Sequence, residues 1–368
     1  MDSGERRPTL LGRFHLDVPL LLGLLTLSGV GLVVLYSAGG EDLRLVWRQA
    51  IRLGVAFAVM VVVAQIPPAT LRRWTPWLFG IGLGLLVAVL FAGATGKGAQ
   101  RWLDFGVARF QPSEMMKLVV PMAVAAYLAE SPLPPPLRRI AVALLLCVVP
   151  VLLIAKQPDL GTALLIGSSG VFVLFLAGLR WRLIGYALLL LVPAAALVWR
   201  YGMHEYQRQR VLTFINPEAD PLGAGYHIIQ SKIAVGSGGL YGKGWLNGTQ
   251  AHLDFLPERS TDFIFAVVGE EFGLLGAGLL LALYLAIVLR GLYIASQAQE
   301  TFTRLLAGGL TLVFLVYVFV NIGMVTGLLP VVGLPLPLVS YGGSAMVTIL
   351  AAFGILMSIH THRSLIRS

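Results

Sequence analysis

The stretch LDFLPERSTDFIFAVVGEEFGLLGAGLLLALYLAIVL (residues 253–289) changes within a few positions from polar loop to apolar helix. Asp254, Glu258 and Arg259 surround Pro257, whereas the run from Phe263 to Leu289 is long and apolar enough to cross a bilayer, which takes about 20 residues. Asp262 stands at the junction, at the membrane face and near a helix N-terminus. The helix dipole favours its ionised form there. As structure it is a capping residue; as chemistry it is a carboxylate ready to act as a base. The residues alone support both readings.

Further apolar runs lie near residues 16–38, 49–65, 74–93, 113–129, 140–155, 160–178, 183–199, 305–326 and 341–359. Of the 368 residues, 57% are hydrophobic and 12% charged. A soluble domain carries about 25% charged residues, so a globular soluble enzyme and a disordered chain are both excluded. The apolar content suffices for about ten spans. The expected fold is therefore an all-α polytopic membrane protein with about ten transmembrane helices, forming one integral membrane domain over residues 1–368. Trp47, Trp74, Trp77, Trp181 and Trp199 fall at or near span ends, where indoles favour the headgroup level, while Trp102 and Trp245 fall in loops.

An even number of spans puts both termini on one side. That side holds Arg6, Arg7, Arg13, Arg72, Arg73, Arg138, Arg139, Arg180, Arg182, Arg290, Arg304, Arg363 and Arg367; the opposite short segments hold Arg44, Arg48, Arg52, Lys97, Arg101, Arg109 and Lys156. The excess places both termini in the cytoplasm, with the first span an uncleaved helix rather than a signal peptide. The net charge of +9 suits anionic lipid headgroups or phosphorylated lipids rather than nucleic acid. The single cysteine, Cys147, lies in an apolar run and permits no internal disulfide.

Three unusual segments then face outward: a polar loop at about 94–112, a long extracytoplasmic loop at about 200–262 between helices seven and eight, and a stretch at about 327–344. The last carries Gly327, Pro330, Gly333, Pro335, Pro337, Gly342 and Gly343. Irregular backbone at membrane depth survives only when buried in protein or lining a wet cavity. The stretch is thus either an ordinary connection or a re-entrant segment walling a site. In the long loop, Tyr226, Ile229 and Ile233 recur at helical spacing, as in a short amphipathic helix on the membrane surface.

Charge inside a span is costly and draws attention to function. Glu114 and Lys117 are three residues apart, on one helical face, as a structural ion pair or a catalytic one. Asp159 precedes an apolar run, where it serves as an N-cap or as a functional carboxylate. The long loop combines Arg208, Arg210, Lys232, Lys243 and Arg259 with clustered glycines, a composition suited to a phosphate-bearing ligand or to a solvated loop. The six histidines lack zinc-protease spacing, and no P-loop, dinucleotide fingerprint or nucleophile elbow is present.

Several stretches together resemble the shape, elongation, division and sporulation (SEDS) family of bacterial wall proteins, over essentially all ten spans. They are Gly98 to Leu103 followed by Gln111 to Lys117; Lys156 to Thr162; Leu256 to Phe265; Gly269 to Gly273; and Pro335 to Ser344. Leu-Pro-Glu-Arg following Asp254-Phe255, with short tails, is most similar to the elongation branch. The resemblance implies an inverting peptidoglycan glycosyltransferase that polymerises lipid II outside the bacterial cytoplasmic membrane. Its implied partners are a class B penicillin-binding protein, the elongation machinery and membrane lipids, with undecaprenyl diphosphate as the leaving group. By motif match Asp262 is the essential carboxylate, Trp102 is important for activity, and Glu114 with Lys117 is the intramembrane charge pair. Diphosphate is already a good leaving group, so one carboxylate base plus cations can suffice. Asp262 is then expected to accept the proton of the acceptor hydroxyl, with Arg101, Arg109, Arg210, Lys243 and Arg259 as candidates to bind diphosphate. Glu258 is a candidate second carboxylate that positions substrate or a divalent cation such as Mg2+ or Mn2+; no cofactor is otherwise expected. Gln111, Asp159 and Ser340 lie within the matching stretches as supporting residues. The alternative function is a lipid II flippase using Glu114, Lys117 and Asp159 as a polar path.

Overall fold

The computed structural model describes residues 15–96, 99–104, 109–203, 205–217, 225–252, 255–256 and 258–362. The helices are α1 (Val18–Ala38), α2 (Leu43–Ala64), α3 (Pro68–Ala92), α4 (Pro112–Leu128), α5 (Leu137–Lys156), α6 (Leu160–Leu176), α7 (Trp181–Leu197), α8 (Glu205–Ile215), α9 (Tyr226–Ser237), the single turn α10 (Thr249–His252), α11 (Ile264–Ser296), α12 (Thr301–Val325) and α13 (Ser344–Thr361). Each apolar run read from the sequence lies on one of them. Seven of them, α1, α2, α3, α5, α11, α12 and α13, are long and apolar enough to cross a membrane, and α6 is a shorter apolar helix.

Carboxylates start several helices, as their preference for unpaired N-terminal N–H groups dictates. Asp17 accepts from the Leu20 N–H at 3.0 Å to cap α1, and Asp42 accepts from the Arg44 N–H at 2.8 Å to cap α2. Asp17 also ties α1 to α11 through the Arg290 fork, at 3.0 and 2.6 Å. Burial acts to raise the Asp17 pKa, but the Arg290 bonds, the Leu20 N–H and the charges of Arg290 and His360 outweigh it, so the carboxyl is held below its ordinary value. At the same end of the bundle His15 stacks on His362, with ring centroids 3.9 Å apart, and joins the two ends of the described chain.

α12 and α13 are the most buried of the long helices. α13 packs on α2, and α12 packs on α11, α6 and α4. Phe314 of α12 meets Phe353 of α13 edge-on at 4.9 Å. Gly31 lets α1 approach the backbone of Leu338 and Val339 where a Cβ would overlap it.

Two features depart from the sequence reading. The 94–112 segment is not only loop: Ala94–Gly96, Ala99–Asp104 and Arg109–Phe110 form β1, β2 and β3 of an antiparallel sheet in that order. The apolar run beginning at Phe263 is also not one continuous helix. Gly273, at φ 63° and ψ −161°, breaks α11, and the glycine-rich loop after α9 occupies the break. Lys243 and Gly244 N–H groups donate to the carbonyls of Glu270 and Glu271 at 3.0 Å each, while Leu274 and Leu275 N–H groups donate to Gly239 and Leu240 carbonyls at 2.9 and 3.1 Å. The freed backbone groups are thereby satisfied within the protein, the condition for a broken helix among apolar neighbours. Only glycine at 273 tolerates that dihedral together with contact against the Gly242 backbone.

The expected helix in the long loop is present as α9, and it packs on the bundle through a face other than that of Tyr226, Ile229 and Ile233. Its buried face is Ile228, Ser231 and Ala234, with Ile233 exposed, because the helix packs on α11 and α12 and hydrogen-bonds through Ser231 Oγ to the Val325 carbonyl at 2.9 Å.

Candidate active site

The polar turn before α11 places its side chains at a cavity of about 620 Å³ lined by Arg101, Asp159, Glu258, Thr261, Asp262 and Tyr341, among others. The N-cap of α11 is Phe263, whose side chain cannot cap, so Asp262 sits one residue before the cap and faces the cavity. This corrects the capping reading of Asp262. One amide ties its backbone to the facing segment: Asn321 Nδ2 donates to the Asp262 carbonyl at 2.9 Å and to the Leu334 carbonyl at 2.7 Å. A Cβ on Gly333 would lie 3.5 Å from Asp262 Oδ2, so bare backbone faces the carboxylate there.

Glu258 is held in the left-handed region at φ 51°. Its carbonyl accepts from the Thr261 N–H at 3.0 Å and its carboxylate from the Thr261 hydroxyl at 2.7 Å, which orients it along the turn. His227 of α9 stacks on Phe263 at 5.9 Å. Burial pushes the His227 imidazole below its ordinary value, with the Glu258 charge opposing.

The opposite wall is the stretch rich in glycine and proline. Residues 328–343 contain no helix, and Pro330, Val331, Val332, Gly333, Pro335 and Tyr341 line the cavity. Ser340 is its hub: its hydroxyl donates to the Thr261 carbonyl at 2.5 Å and accepts from the Leu336 N–H at 2.8 Å, while its carbonyl accepts from Gln49 Nε2 at 3.0 Å. Tyr341 N–H donates to the Ser260 carbonyl at 2.7 Å, and Tyr284 OH to the Pro337 carbonyl at 2.6 Å. Ser340 therefore joins the two walls and does not line the cavity itself.

Asp159 is an N-cap, one of the two readings weighed for it, and its position also brings it to the cavity. Its Oδ1 caps α6 through the Thr162 N–H at 3.3 Å, and it lines the cavity. Oδ2 accepts from Gln111 Nε2 at 3.2 Å and faces Arg101 at 3.8 Å. Arg101, on β2, is further fixed by the carbonyls of Gln157, at 3.3 Å, and Pro158. Trp102, the next residue on β2, is half-buried on the other face of the strand and is not a cavity-lining residue.

Other expected residues lie elsewhere. Glu114 and Lys117 form a buried pair on α4 at 2.7 Å, completed by the Thr348 hydroxyl on Glu114 at 3.0 Å and by the Tyr317 ring beside Lys117 at 5.4 Å. Lys243 does not reach the cavity: its ammonium bonds to buried Glu270 at 2.7 Å and to Thr249 at 2.8 Å, because the loop carrying it fills the break in α11. Arg109 is exposed and paired with Asp104 at 3.2 Å across β2 and β3, where the hairpin directs it away. Arg259 lies beside Gly40 of the turn between α1 and α2. Arg210 is on α8, with its side chain outside what is described, and Gly98, Asp254 and Pro257 also lie outside the described residues.

Sequence reasoning missed Thr261, Asn321 and Tyr341. The signal for Tyr341 was its place in a matching stretch; Asn321, a buried amide in an apolar run, had the signature of a buried polar group with a backbone partner.

Residues 12–365 match the family model of FtsW, RodA and SpoVE, described as cell cycle proteins. The chain is 56% identical over its full length to peptidoglycan glycosyltransferase MrdB of Escherichia coli strain K12, of which 99% is covered. It is 38% identical to a probable peptidoglycan glycosyltransferase FtsW of Geobacter metallireducens, over 94% of each chain. A solved structure on the structural coordination of polymerization and crosslinking by a peptidoglycan synthase complex contains a chain 34% identical with a TM-score of 0.81, over 95% of this chain and 99% of that one. For the crystal structure of the rod shape determining protein RodA of Thermus thermophilus the values are 30% and 0.72, over 95% and 98%. The chain, a multi-pass membrane protein, belongs to the FtsW, RodA and SpoVE family.

Proposed function

We propose that the protein is a peptidoglycan glycosyltransferase that polymerises lipid II at the outer face of the bacterial cytoplasmic membrane during cell elongation. The observation that carries this reading is the convergence of Arg101, Asp159 and the pair Glu258 and Asp262, from three separated parts of the chain, on one cavity at the end of the bundle. The names of the relatives at 56% and 38% identity support it. The ten helices that coincide with apolar runs are read as ten spans, with both termini cytoplasmic and the cavity opening outward.

In the proposed reaction Asp262 takes the proton from the acceptor sugar hydroxyl as that oxygen attacks the anomeric carbon of the donor. The bond between that carbon and the diphosphate oxygen breaks, undecaprenyl diphosphate departs, and the anomeric configuration inverts. Glu258, fixed by Thr261, orients the acceptor, and Arg101 faces the developing negative charge. A positioned base of this kind contributes roughly 10² to 10⁴ in rate. Among the described residues no group of three His, Cys, Asp or Glu side chains is placed to hold a metal ion by itself; a divalent cation at Glu258 would take its remaining ligands from the diphosphate and water, and no step is routed through it. A class B penicillin-binding protein is the proposed partner, in keeping with the synthase complex that contains a similar chain.

The test supplies lipid II to the purified protein with its transpeptidase partner in detergent, where nothing needs flipping. Glycan strands are the expected product. Their absence with a folded protein contradicts catalysis and favours the flippase or a non-catalytic scaffold.

A further inference from the structure

The described lining of the cavity carries three carboxylates, Asp159, Glu258 and Asp262, against one guanidinium, Arg101. That guanidinium is already engaged by Asp159 and by the Gln157 and Pro158 carbonyls. A cavity of this sign repels diphosphate, and Lys243 and Arg109, expected to correct it, are paired elsewhere. Yet joining two lipid-linked sugars brings two diphosphates to one place. Their charge calls for cations beside the cavity in addition to Arg101 within it.

The first three turns of α2 supply them. Arg44, Arg48 and Arg52 are four residues apart and share one helical face, a row of about 12 Å at 1.5 Å per residue. Arg44 and Arg48 are exposed and Arg52 half-buried. On one side of this row lies the buried face with Gln49, Leu53 and Ala56; on the other lies the exposed apolar face with Trp47, Ile51 and Val55. The arginines thus follow the seam between protein and lipid, where the headgroup of a membrane-anchored ligand approaches. The row is fixed to the cavity: the Arg52 guanidinium lies 4.6 Å from the centroid of the Tyr341 ring, which lines it. One residue from the row, Gln49 bonds to the Ser340 carbonyl at 3.0 Å and accepts from the Gly342 N–H at 3.4 Å. Arg259, adjacent in sequence to cavity-lining Glu258, extends to Gly40, just before the start of α2. Orientation by charge disfavours arginine on the outer side of a membrane protein, so a row of three there needs a local reason.

We infer that Arg44, Arg48 and Arg52 form an anion rail that holds a phosphate group carried on a membrane lipid against the rim of the cavity. Two sources share that chemistry, a lipid-linked diphosphate substrate and a bulk phospholipid headgroup. The contact of the rail with a cavity-lining residue assigns it to the diphosphate. This inference rests on the glycosyltransferase reading for its substrate, but its test reads binding without turnover.

Full-length protein in phosphatidylcholine nanodiscs is titrated with undecaprenyl diphosphate. The R44Q/R48Q/R52Q variant is expected to weaken binding at least about tenfold, as loss of charge-assisted hydrogen bonds does, and R44K/R48K/R52K to retain most of it. The titration is repeated with phosphatidylglycerol in the discs. Weakening in both lipids supports the diphosphate assignment; a variant that changes only its association with phosphatidylglycerol overturns it. Unchanged affinity in a folded triple variant overturns the rail altogether. If that variant does not fold, R48Q, at an exposed position, provides the same reading: weaker binding supports the rail and equal binding overturns it. Failure of the glycosyltransferase reading would show separately, as absence of glycan from the parent protein whatever the titration gives.

Discussion

Asp262 and Glu114 are carboxylates of one bundle in opposite circumstances. Glu114 is buried within α4, paired with Lys117 at 2.7 Å and with Thr348 at 3.0 Å. Asp262 is partly exposed, precedes its helix rather than capping it, and faces a cavity with two further carboxylates. The first arrangement neutralises charge that apolar surroundings would otherwise penalise by several kcal/mol. The second concentrates like charge where a ligand can enter. Position in the bundle thus separates charge paired inside the helices from charge presented to a cavity.

Four predictions sharpen that contrast. Reversing Glu114 or Lys117 alone should cost about 3 to 5 kcal/mol, since one charge is left buried without its partner; detergent thermal unfolding should show most of the loss recovered in E114K/K117E. A double variant no more stable than the singles would place Glu114 with the chemical carboxylates instead. Lys243→Ala should come next, because it leaves buried Glu270 without its ammonium. It should lower unfolding temperature while leaving the KM for lipid II near the parent value, and a large rise in KM would return Lys243 to the substrate. Asn321→Ala deprives the Asp262 and Leu334 carbonyls of their shared donor. It should cost about 1 to 3 kcal/mol and reduce kcat more than KM in turnover assays.

The smallest effect concerns pH. Burial holds His227 below its ordinary value of 6.5, so the unfolded chain takes up the proton first as the medium acidifies. Neutral His227 costs nothing above that value; stability falls as pH drops through it and levels off below the folded value. His227→Phe should flatten that part of the stability profile measured by thermal unfolding, and an unaltered profile would assign the dependence to another group.

The contrast also explains what could be read from the residues. Apolar runs decide helices because lipid leaves the backbone no alternative, and every run coincides with a helix. Asp262, Glu258 and Asp159 were legible as candidates because carboxylates beside apolar runs are rare. The break at Gly273 was not, since the run continues apolar through it and the groups that satisfy it come from residues 239–244, distant in sequence. The same separation hid the partner of Lys243, which composition alone made a phosphate ligand. The sheet of residues 94–110 was missed because its strands are short and polar. Arg44, Arg48 and Arg52 were counted for topology, and only the packing of α2 beside Tyr341 relates them to the cavity.

The proposed function places the chemistry at the acidic cavity and not along the buried pair. Its most direct test is the initial rate of lipid II polymerisation in detergent by purified Asp262→Asn beside the parent protein, with equal folding checked by thermal unfolding. Catalysis at the cavity predicts a rate lower by roughly 10² to 10⁴ with unfolding temperature essentially unchanged; polymerisation at the parent rate would contradict it.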